Sequence, residues 1–189
     1  MMPNPMRYVF WFFLFAMHSV FAEVTEDLRY RYFDVNVLPG QSLYKVLMAS
    51  RPNDLVQIDG SGSCQSMIES HYSINRSFNS CRVSSVRVQL SSVITLPILD
   101  SASESQKQSF VPYDAASRVH ELGHYRIDRE YARATDAFLN SIPAYSDCTQ
   151  LTERISYGLE KLKQSQREVQ IEYDRVTQHG ILQGTVIHE

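Results

Sequence analysis

The residues in this chain whose types and spacing could do chemistry together lie at His120-Glu121-Leu122-Gly123-His124. On a helix, four residues turn the chain by about 400°, so both imidazoles leave one face a turn apart. Two nitrogens placed that way can reach a single ion at the roughly 2.0–2.1 Å that zinc requires. Glu121 is offset by about 100° around the same helix. It is set to hold a water at the metal and take its proton rather than to join as a ligand, which is the mechanical content of a His-Glu-x-x-His motif. The plainer reading is a pair of ordinary histidines on an exposed helix face. Gly123 weighs against it, because a glycine inside a helix costs up to about 1 kcal/mol and suggests close approach by a substrate or a neighbouring element.

A catalytic zinc keeps three protein ligands and one open position. No third histidine follows six residues on: position 130 is Glu130, and no histidine occurs between His124 and His179. The third ligand must then come from Asp128, Glu153, Asp174 or His179. Asp128 would make one ion bridge three turns of a single helix, which is awkward for a tetrahedron; beside Arg126 and Arg129 it also reads as a surface carboxylate. Glu153 reads equally as an exposed partner of Arg154. The run Tyr173-Asp174-x-x-Thr177-x-His179-Gly180-x-x-Gln183-Gly184 is different, since it packs polar groups and two glycines behind a stretch of solvated charge. A histidine that merely complements a helix dipole would not require those neighbours. Hydrolysis would further need a donor to the developing oxyanion, for which Tyr125, Tyr173 and the backbone near Gly184 are the candidates.

Two long helices must position these groups. Residues 114–139 carry Ala116, Val119, Gly123, Ile127, Tyr131, Ala134 and Phe138 at helical spacing, with Asp114 as the expected N-cap and Pro143 closing the run. A second helix is expected from Cys148 or Thr149 to Gln178, on Leu151, Ile155, Leu159, Leu162, Val169, Tyr173 and Val176, with Gly180 at its C′ position. Residues 100–109 are polar and serine-rich and read as a loop. The half before them is strand-rich. Leu28 to Val37 is a β-rich run ended by Pro39-Gly40, and Ser42 to Met48 a short helix. Residues 59–63 form a loop, Ser70 to Phe78 a strand that includes Asn75-Arg76-Ser77, and Asn79-Ser80 a turn. Val83 to Ile94 reads as a long strand ended near Pro97, or as two joined by a bulge near Ser84-Ser85. The expectation is an α+β domain in which an antiparallel sheet from the N-terminal half packs against two long helices, one of them a zincin-like metal helix.

At the start, Arg7 precedes an apolar run from Tyr8 to Met17, and Val20-Phe21-Ala22 supplies a small-residue cleavage site. That is the layout of a secretory signal peptide over residues 1–22, too short for a membrane span. The mature chain, residues 23–189, is expected to be one domain with no further apolar run long enough to cross a bilayer. Losing Arg7 moves the formal charge from −3 to −4. A mildly acidic chain with no basic run offers nothing to neutralise a phosphate backbone, so nucleic acid is not an expected partner. Oligomeric state is not encoded legibly. Three cysteines, Cys64, Cys81 and Cys148, allow at most one internal disulfide, and none has metal-ligand spacing. Cys64, in its Gly- and Ser-rich surroundings, could still reach the metal.

On His120-Glu121-x-x-His124, on the Tyr173 to Gly184 run and on Cys81 and Cys148, the chain resembles a bacterial family of predicted secreted zinc-dependent proteases, a domain of unknown function of the His-Glu-x-x-His type. The resemblance covers nearly the whole mature chain. It implies one Zn2+ per chain, a Cys81–Cys148 bridge that leaves Cys64 free, and a secreted or periplasmic location. His179 is then the expected third ligand, with Asp174 orienting a histidine or standing as the alternative ligand. The expected activity is hydrolysis of a peptide or protein substrate by metal-activated water with Glu121 as general base. The alternatives are a zinc amidase acting on envelope material and a non-enzymatic envelope module with a structural or vestigial metal site.

Overall fold

A computed structural model describes residues 24–55 and 62–188. The expected signal segment and most of the expected loop at 59–63 lie outside the described residues. In chain order the elements are β1 (Val24–Asn36), α1 (Leu43–Ala49), a 3-10 turn (Asn53–Leu55), β2 (Ser63–Ser77), β3 (Ser80–Ser101), α2 (Glu104–Ser141), α3 (Cys148–Thr177) and a 3-10 turn (Ile181–Gln183). The α+β class is as expected, with a three-stranded sheet ordered β1-β3-β2 packed against helices.

The sheet is mixed rather than wholly antiparallel. β2 and β3 form the hairpin expected from the turn after Phe78, but β1 lies parallel to β3, with Val24 opposite Val88 and Val35 opposite Leu99. A parallel pair cannot be joined by a tight turn; here α1 and the whole of β2, which lies antiparallel on the other edge of β3, come between β1 and β3 in the chain. Alternation along a strand says which face is buried and nothing about the direction of the neighbour.

β3 is one continuous strand, and two of its features follow from its pairing. Opposite β2, His71 pairs with Arg87 and Ser73 with Ser84, so β3 carries one extra residue there, and Ser85 takes a left-handed φ of 53°. This is the bulge expected near Ser84-Ser85. The strand also runs on through Pro97 to Ser101. β2 ends its pairing at Ser63 opposite Thr95, so among the described residues only β1 pairs alongside Pro97, and a residue without an N–H is tolerated where one edge carries no partner strand. Val88, Leu90, Ile94 and Leu96 are fully buried on the even-numbered face. Val88 and Leu90 pack with Ala132 of α2, while Val35, Val37, Leu43 and Leu47 pack with Phe110 and Tyr113 at the other end of that helix.

α2 begins ten residues earlier than its apolar period suggests, at Glu104 instead of near Asp114. Ser103 and Gln106 form a capping box: the Ser103 hydroxyl accepts from the Gln106 N–H at 3.4 Å, and Gln106 Oε1 accepts from the Ser103 N–H at 2.9 Å. Asp114 is therefore no cap but a mid-helix partner of Arg118 Nε at 2.8 Å. Pro112 lies inside the helix and removes one backbone hydrogen bond; the buried side chains of Phe110, Tyr113, Ala116 and Ser117 on either side of it hold the helix against the core.

α3 starts where expected, with Asp147 as N-cap accepting from the Thr149 N–H at 2.9 Å. Its end differs. Gln178 is the C-cap in left-handed conformation, and His179 and Gly180 follow it with φ of 52° and 85°. Gly180 is thus the last of three left-handed residues rather than the first past the helix, and together they turn the chain back toward α2. Cys81 and Cys148 form the disulfide implied by the resemblance and Cys64 is free. The bond ties the start of β3 to the start of α3 beside Leu139, Leu151 and Ile155, and such bonds persist in oxidising compartments. Among the described residues no helix is long and apolar enough to cross a membrane.

Candidate metal centre

The motif sits in the middle of α2 with both imidazoles on the face turned toward α3 and the chain after it. His120, His124 and Asp174 bring three ligand atoms within 4.8 Å of one another. The two Nε2 atoms are 3.3 Å apart, and Asp174 Oδ1 lies 3.4 Å from His120 Nε2 and 3.0 Å from His124 Nε2. A tetrahedral site with ligand distances of about 2.0 Å has edges of about 3.3 Å. The triangle therefore has the dimensions of one face of a zinc tetrahedron, with the fourth corner left over.

The other nitrogen of each ring fixes what Nε2 offers. His120 Nδ1 donates to Gln183 Oε1 at 2.9 Å, and His124 Nδ1 donates to Gln170 Oε1 at 2.5 Å. The amide nitrogens are turned away to acceptors of their own: Gln183 Nε2 donates to Tyr173 Oη at 3.1 Å, and Gln170 Nε2 to Asp128 Oδ1 at 2.7 Å and to the His124 carbonyl at 3.2 Å. Both rings thus present a lone pair at Nε2, toward a carboxylate oxygen. Three such atoms repel unless a cation lies between them, so the donor set fits a divalent ion. Burial first of all, then the neighbouring His124 and His179, hold His120 below its ordinary pKa against the opposing Gln183 bond and Asp174, which favours the neutral, ligating form.

The supports are built into helix phase. Gln170 lies three residues before Tyr173 and four before Asp174, and Thr177 lies four after Tyr173 and three after Asp174, so these side chains gather on one side of α3. Tyr173 stacks on the His120 ring with centroids 5.2 Å apart, meets His124 edge-on, and donates from Oη to the His120 carbonyl at 3.2 Å. A side chain at position 123 would collide with the Tyr173 ring; the neighbouring element that Gly123 admits is this tyrosine. Asp128, a sequence candidate for the third ligand, is buried and instead accepts from Gln166 and Gln170. Through Gln170 it anchors His124. Gln170 carries no motif signal of its own, but its place one turn before Asp174 on an α3 face could have identified it. Replacing Gln170 by Ala is expected to lower the affinity of this group for a divalent metal ion by roughly 10- to 100-fold, the usual effect of removing such a support. Competition against a chromophoric chelator measures it, and an unchanged affinity would remove Gln170 from the site.

Asp174 thus stands in the group of converging ligand atoms where His179 was expected. His179 is half exposed, with Nδ1 3.7 Å from Asp174 Oδ1. Glu153 has no place in the group. Glu121 is buried, and its carboxyl accepts from the Cys64 N–H. Burial, then the Asp174 carboxylate, push its pKa up to about 8 against that hydrogen bond. Gly62 leaves the room it needs, because a Cβ there would come within 2.8 Å of Glu121 Oε1. Cys64 belongs to β2 rather than to a loop and is no member of the ligand group; burial pushes its thiol up to about 12. The expected oxyanion donors are otherwise engaged: Tyr125 Oη donates to Glu26 at 2.8 Å, and the Gly184 N–H to the Ile181 carbonyl at 3.0 Å.

A cavity of about 450 Å³ opens beside this centre, with His120, Glu121 and His179 in its wall. No curated protein and no solved structure matches the chain. A family match does exist and spans both halves of the centre: residues 30–180 fit the family described as bacterial protein of unknown function (DUF922), and the chain belongs to that family.

Proposed function

We propose that the protein is an exported zinc-dependent hydrolase of peptide bonds, with His120, His124 and Asp174 as ligands and Glu121 as the proton-transfer group. The observation that carries this reading is the triangle of three lone-pair atoms at 3.0–3.4 Å, each ring locked in the ligating tautomer by a glutamine. A zinc ion bound there would supply Lewis acidity, lowering the pKa of water and polarising a carbonyl.

The chain's own residues would do the rest. Glu121, buried in the cavity wall and outside the ligand group, is placed to accept a proton from the attacking water at its carboxylate. As the water oxygen bonds to the carbonyl carbon and the C–N bond breaks, the same carboxyl returns that proton to the leaving nitrogen. His179, at the rim of the cavity, is the group we assign to donate to the carbonyl oxygen as charge develops. The disulfide and the leader-like start of the sequence support export to a secreted or periplasmic location.

A structural-module reading is less well supported, because structural zinc sites close with four protein ligands, whereas three converge here beside a buried carboxylate and a cavity. Treatment with a zinc chelator is expected to abolish hydrolysis of an unstructured protein substrate such as casein, and added zinc to restore it. Activity that survives complete metal removal would overturn the reading, as would a zinc-loaded protein that cleaves no peptide bond across a diverse peptide library.

A further inference from the structure

The cavity beside the metal centre is far more apolar than the centre itself. Tyr44 and Met48 of α1, Tyr113 of α2, and Ile181, Val186 and Ile187 of the segment after α3 form its walls. Ser117 and Thr185 add hydroxyls, and among the described residues that line it the ionisable groups besides tyrosine are His120, Glu121 and His179 at the centre. We infer that this cavity is the subsite for one large apolar side chain, leucine or phenylalanine, adjacent to the scissile bond. The assignment rests on the proposed hydrolase reading for the position of that bond, and on the cavity alone for the side chain.

Three features carry it. The volume of about 450 Å³ is ample for an aromatic side chain and falls within the range of small-ligand sites. Its described walls reward apolar area, and an acidic side chain there would lie beside the Glu121 carboxyl. The wall is continuous with the machinery as well. Ile181, Val186 and Ile187 belong to the same short segment whose Gln183 holds His120 Nδ1, and whose far end is fastened to α2 by the Ser109 hydroxyl donating to the His188 carbonyl at 2.6 Å.

The test uses blocked pentapeptides, acetyl-Gly-Ala-X-Ala-Gly-amide with X as Phe, Leu, Ala, Lys or Asp, titrated calorimetrically into purified Glu121→Gln protein so that nothing turns over. Phe and Leu peptides are expected to bind at least about tenfold more tightly than Ala, Lys or Asp peptides, the scale of discrimination an apolar pocket gives. Val186→Trp fills the cavity from a residue that is 36% exposed and outside the core clusters, and is expected to erase that preference. Its helical circular dichroism and zinc content should match the parent. Equal binding of all five peptides, or a preference that persists in a folded Val186→Trp protein, would overturn the assignment. Metal content of the wild-type protein separates this from the hydrolase reading: an apolar preference in a chain that binds no metal would uphold the subsite and sink the hydrolase.

Discussion

Replacing Glu121 by Gln is expected to lower peptide hydrolysis by roughly 10³-fold while leaving one zinc per chain. General acid–base groups contribute about 10²- to 10⁴-fold, and Glu121 would serve twice, taking a proton from water and giving it to the amine. Gln keeps the volume that Gly62 accommodates and an oxygen that can accept the Cys64 N–H, so packing should hold. It loses only the ability to carry the proton. Glu121 is no member of the ligand group, and metal content should therefore be unaffected. Steady-state cleavage of a quenched fluorescent peptide, beside zinc analysis of the same sample, makes the measurement. A Glu121→Gln protein with near wild-type turnover would remove Glu121 from the chemistry. Loss of zinc together with activity would instead make it a structural support of the site.

The second large effect concerns the frame that carries the motif. The Cys81–Cys148 bond closes a loop with a sequence separation of 67, and all of α2 lies inside it. Constraining the unfolded chain over a loop of that length is worth about 4 kcal/mol as an upper figure. A Cys81→Ser, Cys148→Ser double variant is expected to unfold at lower urea concentration with a steeper slope, because its unfolded chain is more expanded, and roughly 10 °C lower on heating for a chain of this size. The packing of Leu139, Leu151 and Ile155 around the bond is retained, so the variant should still fold. Identical midpoints for the oxidised wild type and the variant would contradict a stabilising role.

The centre of α2 was legible as helix from its apolar period and the His-Glu-x-x-His spacing, but the face it buries was not: of the residues that carried the period only Ala116 is buried, and the buried face holds His120, Glu121, Asp128 and Asp136 instead. Nor was its beginning. Ser103 and Gln106 do have the spacing of a capping box, but they lie in a polar, serine-rich stretch whose composition argues for loop, and the cap prevails because it satisfies donors that composition ignores. The parallel placement of β1 was illegible for a different reason, since burial alternation has no sense of direction. At the site, the group that converges follows helix phase rather than residue type. His179 is the more familiar zinc ligand, yet Asp174 shares a face of α3 with Gln170, Tyr173 and Thr177, whereas the left-handed turn at Gln178 swings His179 out to half exposure. Of the two glutamines that lock the histidine tautomers, Gln183 lies in the run the sequence singles out and Gln170 does not; their bonds to the rings form only through tertiary packing against α2.

The most direct measurement is zinc stoichiometry by mass spectrometry of the metal in purified protein, wild type beside Asp174→Ala and His179→Ala. One zinc per wild-type chain is expected, with near-complete loss in Asp174→Ala and full retention in His179→Ala. Full occupancy in Asp174→Ala with loss in His179→Ala would contradict the assigned ligand set and return His179 to the third position; no zinc in the wild type would contradict the metal centre itself.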